Sequence, residues 1–282
     1  MVGLIVAGSM YLPVFIGGLQ GFQAFGWMAV AQHSWSVIRL ALGGGLVWCV
    51  APLAEWGLLG YWVGVLASIA WGWIGLRVLP RGSQGSSTPA PGGIVRYFGY
   101  SLFILGGFAT LMNADIIMVK RLFSSLEAGL FARAATIGRS VVFISVPIAM
   151  AMFPKVTSAG DVAAGTRGTL WRAFLFAGVI VLLAVGAVSF WPALPLRVLF
   201  RVAEPDAAMT ALVRSVTWAM APLGLAYLAV HFELAQHRFR SVVSLLVCAS
   251  AYVFIVAFRH ETVQQVVQAL AVCSWLAVVW LL

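Results

Sequence analysis

The sequence predicts an all-α fold, a polytopic transmembrane helix bundle of about nine spans in two lobes, three helices followed by six. Two observations carry this. Apolar residues make up 62% of the 282 residues and charged residues only 9%, with a mean hydropathy of +1.02; a water-soluble domain of this length needs far more charge. The apolar residues also run in continuous blocks of about twenty, long enough to cross ~30 Å of hydrocarbon as helices. Backbone amides in lipid must be satisfied internally, which leaves helices or closed barrels. Barrel strands would alternate over about ten residues, and these blocks do not.

Breaks at charges and at Pro/Gly clusters set the spans at roughly 2–19, 27–51, 57–79, 98–118, 127–152, 173–194, 209–232, 241–258 and 263–282. No basic stretch precedes the first, so it reads as a span and not as a cleaved leader. The second runs from Trp27 past Trp48, and the third follows Trp56 and ends beyond Trp71 and Trp73, with Arg77 close by. Lys120 and Arg121 close the fourth, and Phe153-Pro154-Lys155 closes the fifth. The sixth lies between Trp171 and Trp191, and the seventh follows the Arg197–Asp206 loop. The eighth is bracketed by Arg240 and Arg259, and the ninth carries Trp280 near its end. Tryptophans near span ends suit the membrane–water interface.

Pro80 to Gly93 is rich in Gly, Ser and Pro and reads as a flexible linker. The expected organisation is a partial N-terminal bundle over 1–79, a linker over 80–96 and a six-helix bundle over 97–282. The formal net charge is +9. In a soluble protein that would suggest nucleic acid; here it reads as positive-inside loops, and no nucleic-acid partner is expected. Arg77, Arg81, Arg96, Lys155, Arg167, Arg172, Arg238 and Arg240 surround one set of loops; Lys120, Arg121, Arg197, Arg201 and Arg259 surround the other. The bias places the 80–96 linker and the C-terminus in the cytoplasm and the N-terminus outside. Cys49, Cys248 and Cys273 lie in apolar spans without a CxxC spacing, as small core hydrophobes and not as a disulfide or metal framework.

Leu19-Gln20-Gly21-Phe22-Gln23-Ala24-Phe25 can be laid over Glu233-Leu234-Ala235-Gln236-His237-Arg238-Phe239. Each is a short polar turn closed by Phe, with chance similarity as the open alternative. A true repeat pairs spans one to three with spans seven to nine and predicts about three more spans ahead of Met1, as in parallel six-helix repeats. Pro13, Pro147 and Pro222 fall inside spans. Lipid-embedded bundles tolerate such prolines, and Pro147 and Pro222 are hinge candidates, with a static bend as the alternative. Gly17-xxx-Gly21 and Gly60-xxx-Gly64 are signals of close helix packing.

Charges at membrane depth default to functional hypotheses. The set is Arg39 in span two, Asn113 and Asp115 in span four, Arg133 and Arg139 in span five, and Arg214 in span seven. Thr110, Asn113, Ile117 and Lys120 share one helix face; Arg133, Thr136 and Ser140 share another. Both faces suit a polar interior better than lipid. Arg214 and Lys120 lie near span ends and could instead snorkel to head groups, and Asp115 could pair with one buried arginine as a structural salt bridge. Arg39, Arg133 and Arg139 together leave uncompensated positive charge. The guanidinium fork is bidentate and weakly hydrated, which suits phosphate; the expected feature is a cationic cavity for a phosphate-bearing or otherwise anionic substrate.

No catalytic constellation is visible. His260-Glu261-Thr262-Val263-Gln264 begins like a zincin but has Gln in place of the second ligand histidine. No G-x-S-x-G elbow, P-loop or close carboxylate pair occurs. The expectation is a non-enzyme without cofactor or metal.

The run Asn113-Ala114-Asp115 through Lys120, then Glu127-Ala128-Gly129-Leu130-Phe131-Ala132, resembles the N-x-D…K…E-A-G-x-Y/F-A signature of polysaccharide flippases. These belong to the multidrug/oligosaccharidyl-lipid/polysaccharide exporter superfamily. Phe153-Pro154-Lys155-Val156 resembles the family's F-P-x-h element, and Leu19 to Phe25 its L-Q-G-x-Q-x-F hairpin. The resemblance is strong over 1–155 and a matter of pattern beyond. It implies two six-helix bundles around a central cavity, with spans one to nine matching helices four to twelve and the first three helices lacking counterparts. It further implies a flippase for polyprenyl-pyrophosphate-linked oligosaccharide in the bacterial inner membrane, serving O-antigen, lipopolysaccharide or related polysaccharide biosynthesis by alternating access. The implied partners are the lipid-linked oligosaccharide, membrane lipids and a coupling cation, H⁺ or Na⁺. The alternatives are a multidrug/cation antiporter of the same superfamily, which would want carboxylates in the cavity, and a non-transporting fragment or scaffold.

Overall fold

The computed structural model describes residues 2–51, 53–79, 91–159, 163–236 and 241–281, and every described element is helical. Among the described residues, seven helices are long and apolar enough to cross a membrane: Val2–Gly21, Ala54–Val78, Val95–Leu122, Ser125–Met152, Trp171–Phe190, Ala207–Ala235 and Val263–Leu281. Val242–Phe258 is a shorter apolar helix. Large side chains such as Val14, Trp48, Leu102, Leu183 and Val279 point outward, the reverse of what water permits over so much surface. The chain is an all-α, multi-pass membrane protein.

Two compact units divide it, Met1–Ser87 and Thr88–Leu282. Most of the linker expected over 80–96, residues 80–90, lies outside the described residues, as do Arg238, Arg240 and His237.

In the first unit, α1 (Val2–Gly21) turns into α2 (Phe25–Ile38). Gln23 takes a left-handed φ of 56°, and the amide of Ala24 returns to the Leu19 carbonyl at 3.0 Å, the usual closure of a helix end. The expected span 27–51 is not a plain α-helix. After α2 the chain makes a π turn, Arg39–Gly43, before α3 (Gly44–Cys49). Opposite the π turn stands α4 (Ala54–Val78), which packs against it and against both α1 and α2. A Cβ on Gly60 would stand 2.5 Å from the Gly43 backbone, and one on Gly64 2.7 Å from the Trp35 carbonyl oxygen. One turn further, Ser68 accepts a bond from the Trp35 amide at 3.0 Å and shares another with Ser34 at 2.8 Å. The Gly60-xxx-Gly64 motif is thus a seat for a neighbouring backbone, whereas Gly17 and Gly21 face open space.

In the second unit, α5 (Pro91–Leu122) and α6 (Ser125–Phe143) form a hairpin. A capping box closes it: Ser124 Oγ accepts from the Glu127 amide at 3.3 Å, and the Glu127 carboxylate accepts from the Ser124 amide at 3.2 Å. The expected span 127–152 lies in one membrane-length stretch, Ser125–Met152, whose hydrogen-bond ladder breaks at Ile144, between α6 and α7 (Ser145–Ala159), while the Ile144 backbone stays helical with φ −60° and ψ −33°. Pro147 explains the break, because it cannot donate to the Phe143 carbonyl four residues back and its ring crowds that oxygen. Next come α8 (Ala163–Phe190), the short α9 (Ala193–Phe200), α10 (Ala207–Ala235), α11 (Ser241–Phe258) and α12 (Val263–Leu281). Helix α10 is the axis of the unit, touching α5, α6, α7, α8 and α12, and is apolar on nearly every face because nearly every face is covered. Pro222 sits buried within it without ending the helix.

Candidate functional site

Of the six candidate side chains, Arg39 belongs to the Met1–Ser87 unit and the other five to the Thr88–Leu282 unit. The structure separates the five into a buried pair and three outward groups.

Asp115 is fully buried on α5 and Arg139 nearly so on α6. They form an ion pair, Arg139 donating through Nη2 to Asp115 Oδ1. Arg139 Nε donates in addition to the Met112 carbonyl at 2.8 Å. A buried charge is tolerated only when paired and hydrogen-bonded, and this arrangement supplies both. Of the readings open for Asp115 in the sequence, the geometry selects the interhelical salt bridge. Arg139 is thereby occupied inside the bundle. Asp115 Oδ2, Tyr252 Oη and Ser274 Oγ are buried without a hydrogen-bond partner among the described residues.

Asn113 and Arg133 face outward, on the two helices of the same hairpin. Asn113 Nδ2 donates to the Ala109 carbonyl at 2.9 Å, leaving its carbonyl oxygen and one N–H for other partners. Arg133 makes no ion pair or hydrogen bond with another described residue. Thr136 follows it on the same face and donates to the Ala132 carbonyl at 2.8 Å; Thr110 donates to Gly106 at 2.9 Å and Ser140 to Ile137 at 2.6 Å. These back-bonded hydroxyls keep acceptor lone pairs free. Ile117 interrupts the α5 face and Lys120 closes it, both exposed.

Arg214, also exposed, donates from Nε to the Ser189 carbonyl at 2.9 Å, and Trp218 Nε1 donates to Ser189 Oγ at 3.1 Å. Ser189 is the penultimate residue of α8. Arg214 therefore satisfies an end carbonyl of a neighbouring helix and neutralises its negative pole. Neither snorkelling nor substrate contact is needed to account for it.

In the first unit, Arg39 opens the π turn and is exposed midway along the 25–49 stretch. Its Cζ lies 5.1 Å from the centre of the Tyr61 ring. Sequence reasoning missed Tyr61 and Ser189, since neither carries a motif; it also passed over the capping box, which Ser124-x-x-Glu127 spells out.

An apolar cleft of about 500 Å³ opens between α5 and α11, lined by Leu102, Phe103, Gly106, Val253 and Phe254, with Thr110 and Ser250 as polar members. It carries no charged side chain. No group of three or more His, Cys, Asp or Glu that could hold a metal ion occurs among the described residues.

Chemically, the outward groups at membrane depth are donors without a carboxylate beside them. Arg133 and Asn113 lie on one hairpin and Arg39 in the other unit, and the two guanidiniums carry positive charge. Asp115, an acid within a span, is paired with Arg139. Comparison with known proteins gave no match to a family model, to a curated protein or to a solved structure.

Proposed function

We propose that this chain is a transporter that flips an anionic, lipid-linked oligosaccharide, of the polyprenyl-pyrophosphate class, across a bacterial inner membrane by alternating access. The observation that carries the reading is Arg133: an outward guanidinium in a membrane-spanning helix, with no acid to neutralise it among the described residues. Such a group is costly in hydrocarbon and becomes favourable in a wet cavity opposite a phosphate, where two parallel N–H···O contacts form. Arg39 supplies a second guanidinium of the same kind. The likeness of Asn113–Ala132 to the polysaccharide-flippase signature adds to the reading without replacing it.

In this scheme Arg39 offers a phosphate one guanidinium within its own unit; in the Thr88–Leu282 unit, Arg133 attracts the pyrophosphate and Asn113 hydrogen-bonds the head group. The Asp115–Arg139 pair holds the α5–α6 hairpin rigid behind them. Pro147, at the α6/α7 break, and Pro222, within α10, serve as hinges. The salt bridge also counts against the drug/cation antiporter, because it occupies Asp115, a carboxylate within a span that such a substrate could meet.

The test is complementation of a bacterial strain lacking its own flippase. Arg133→Ala and Arg39→Ala should abolish surface glycan on immunoblots while membrane levels of the chain stay at wild type, and Arg133→Lys should restore part of the signal. Wild-type glycan from both alanine variants would overturn the proposal.

A further inference from the structure

Arg39 is held in place by an aromatic residue that nothing in its own helix supplies. Trp35 and Arg39 lie four residues apart, on one face of the α2–π stretch. Across from them on α4, the half-buried Tyr61 touches both: its ring centre is 5.2 Å from that of Trp35, tilted by 50°, and 5.1 Å from Arg39 Cζ. Tyr61 directly follows Gly60, the residue whose missing side chain lets α4 come against Gly43. The close approach at Gly60 therefore brings the Tyr61 ring up to the guanidinium, at the point where the helix passes into the π turn.

We propose that Tyr61 is a positioning residue: its ring orients Arg39 for a phosphate-bearing glycan lipid, with Trp35 as the backing surface. This rests on the reading of Arg39 given under Proposed function. A guanidinium over an aromatic ring is attracted by the ring quadrupole while its N–H edge stays free. The edge takes two phosphate oxygens. Aromatic faces beside it also suit the C–H face of a sugar ring. Without the ring, the long arginine side chain must be ordered by the ligand itself, and that entropy is lost from binding.

The experiment titrates farnesyl pyrophosphate, and farnesol as the uncharged control of equal chain length, into the purified full chain in detergent. Isothermal calorimetry reads the affinity. Tyr61→Leu should weaken farnesyl pyrophosphate about three- to tenfold and leave farnesol unchanged. Tyr61→Phe, which keeps the ring and drops the hydroxyl, should recover most of the loss. In an Arg39→Ala background, Tyr61→Leu should add nothing. Wild-type affinity in Tyr61→Leu overturns the proposal; so does a Tyr61→Phe loss equal to that of Tyr61→Leu, or a Tyr61→Leu loss that persists without Arg39. Should Tyr61→Leu fail to fold by circular dichroism, Tyr61→Met carries the same test. If Arg39→Ala itself leaves farnesyl pyrophosphate binding untouched, the substrate role of Arg39 falls, and with it the basis of this one. If Arg39→Ala weakens binding and Tyr61→Leu does not, only the role of Tyr61 falls.

Discussion

Arg139 reaches across the α5–α6 hairpin to Asp115, and both members of the pair are shielded from the exterior of the unit. Removing either partner leaves the other charge buried without compensation. Arg139→Ala and Asp115→Ala are each expected to cost about 3–5 kcal/mol, visible as lower thermal midpoints in detergent. The paired replacement Asp115→Leu with Arg139→Met should recover most of that loss. A double variant no more stable than the singles would show that the pair does something other than neutralise itself.

Arg133 should behave in the opposite way. It is exposed and has no partner among the described residues, so Arg133→Ala should shift stability by no more than about 0.5 kcal/mol. Glycan export should fall at least tenfold in the same variant. Unfolding curves and surface-glycan blots on one preparation separate the two effects; a stability loss as large as that of Arg139→Ala would reveal a structural partner for Arg133.

The α2/α4 contact gives a sharper pair. An alanine Cβ at Gly60 would lie 2.5 Å from the Gly43 backbone, while at Gly57, one turn earlier, it meets nothing within 4 Å. Gly60→Ala is expected to force the helices apart, at about 1–3 kcal/mol. Gly57→Ala should be neutral or slightly stabilising, through helix propensity. Thermal unfolding of the two variants should differ accordingly, and equal midpoints would rule out the close approach.

Pro147 marks the break between α6 and α7. Pro147→Ala restores a donor for the Phe143 carbonyl and should let the two helices join, with a midpoint unchanged or raised. Export should fall if the break is a hinge. Export at wild-type level in a variant of undiminished stability would show the break to be a fixed bend.

Length and apolarity were enough to place the long helices, because lipid leaves the backbone few other choices. They were not enough for the interruptions. The stretch 27–51 reads as one uniform block, and the π turn inside it packs against Gly60 on another helix, a contact without sequence periodicity. The stretch 127–152 does contain its breaker, but a proline in a membrane helix does not announce whether the helix bends or ends. The partner of Asp115 was hidden for a geometric reason. Counted from the Phe123–Ser124 turn, Asp115 lies eight residues back and Arg139 fifteen on, a mismatch in level of about 10 Å. Side chains lean toward their own helix N-terminus; in a hairpin these leanings oppose, carrying Asp115 away from the turn and Arg139 back toward it until they meet. The polar faces themselves were legible, since Asn113, Arg133 and Thr136 all fall on the uncovered sides of their helices.

A π turn holds one residue more than the α-helical turn it replaces. The register of this segment is therefore encoded partly in a count of residues, not in their chemistry. Excising a single neighbour such as the outward Leu40 would barely alter composition or hydropathy, yet it would close the π turn into an α-helical one and re-aim the side chains between Arg39 and Gly43. In this segment insertions and deletions, more than substitutions, are the changes by which specificity could be gained or lost.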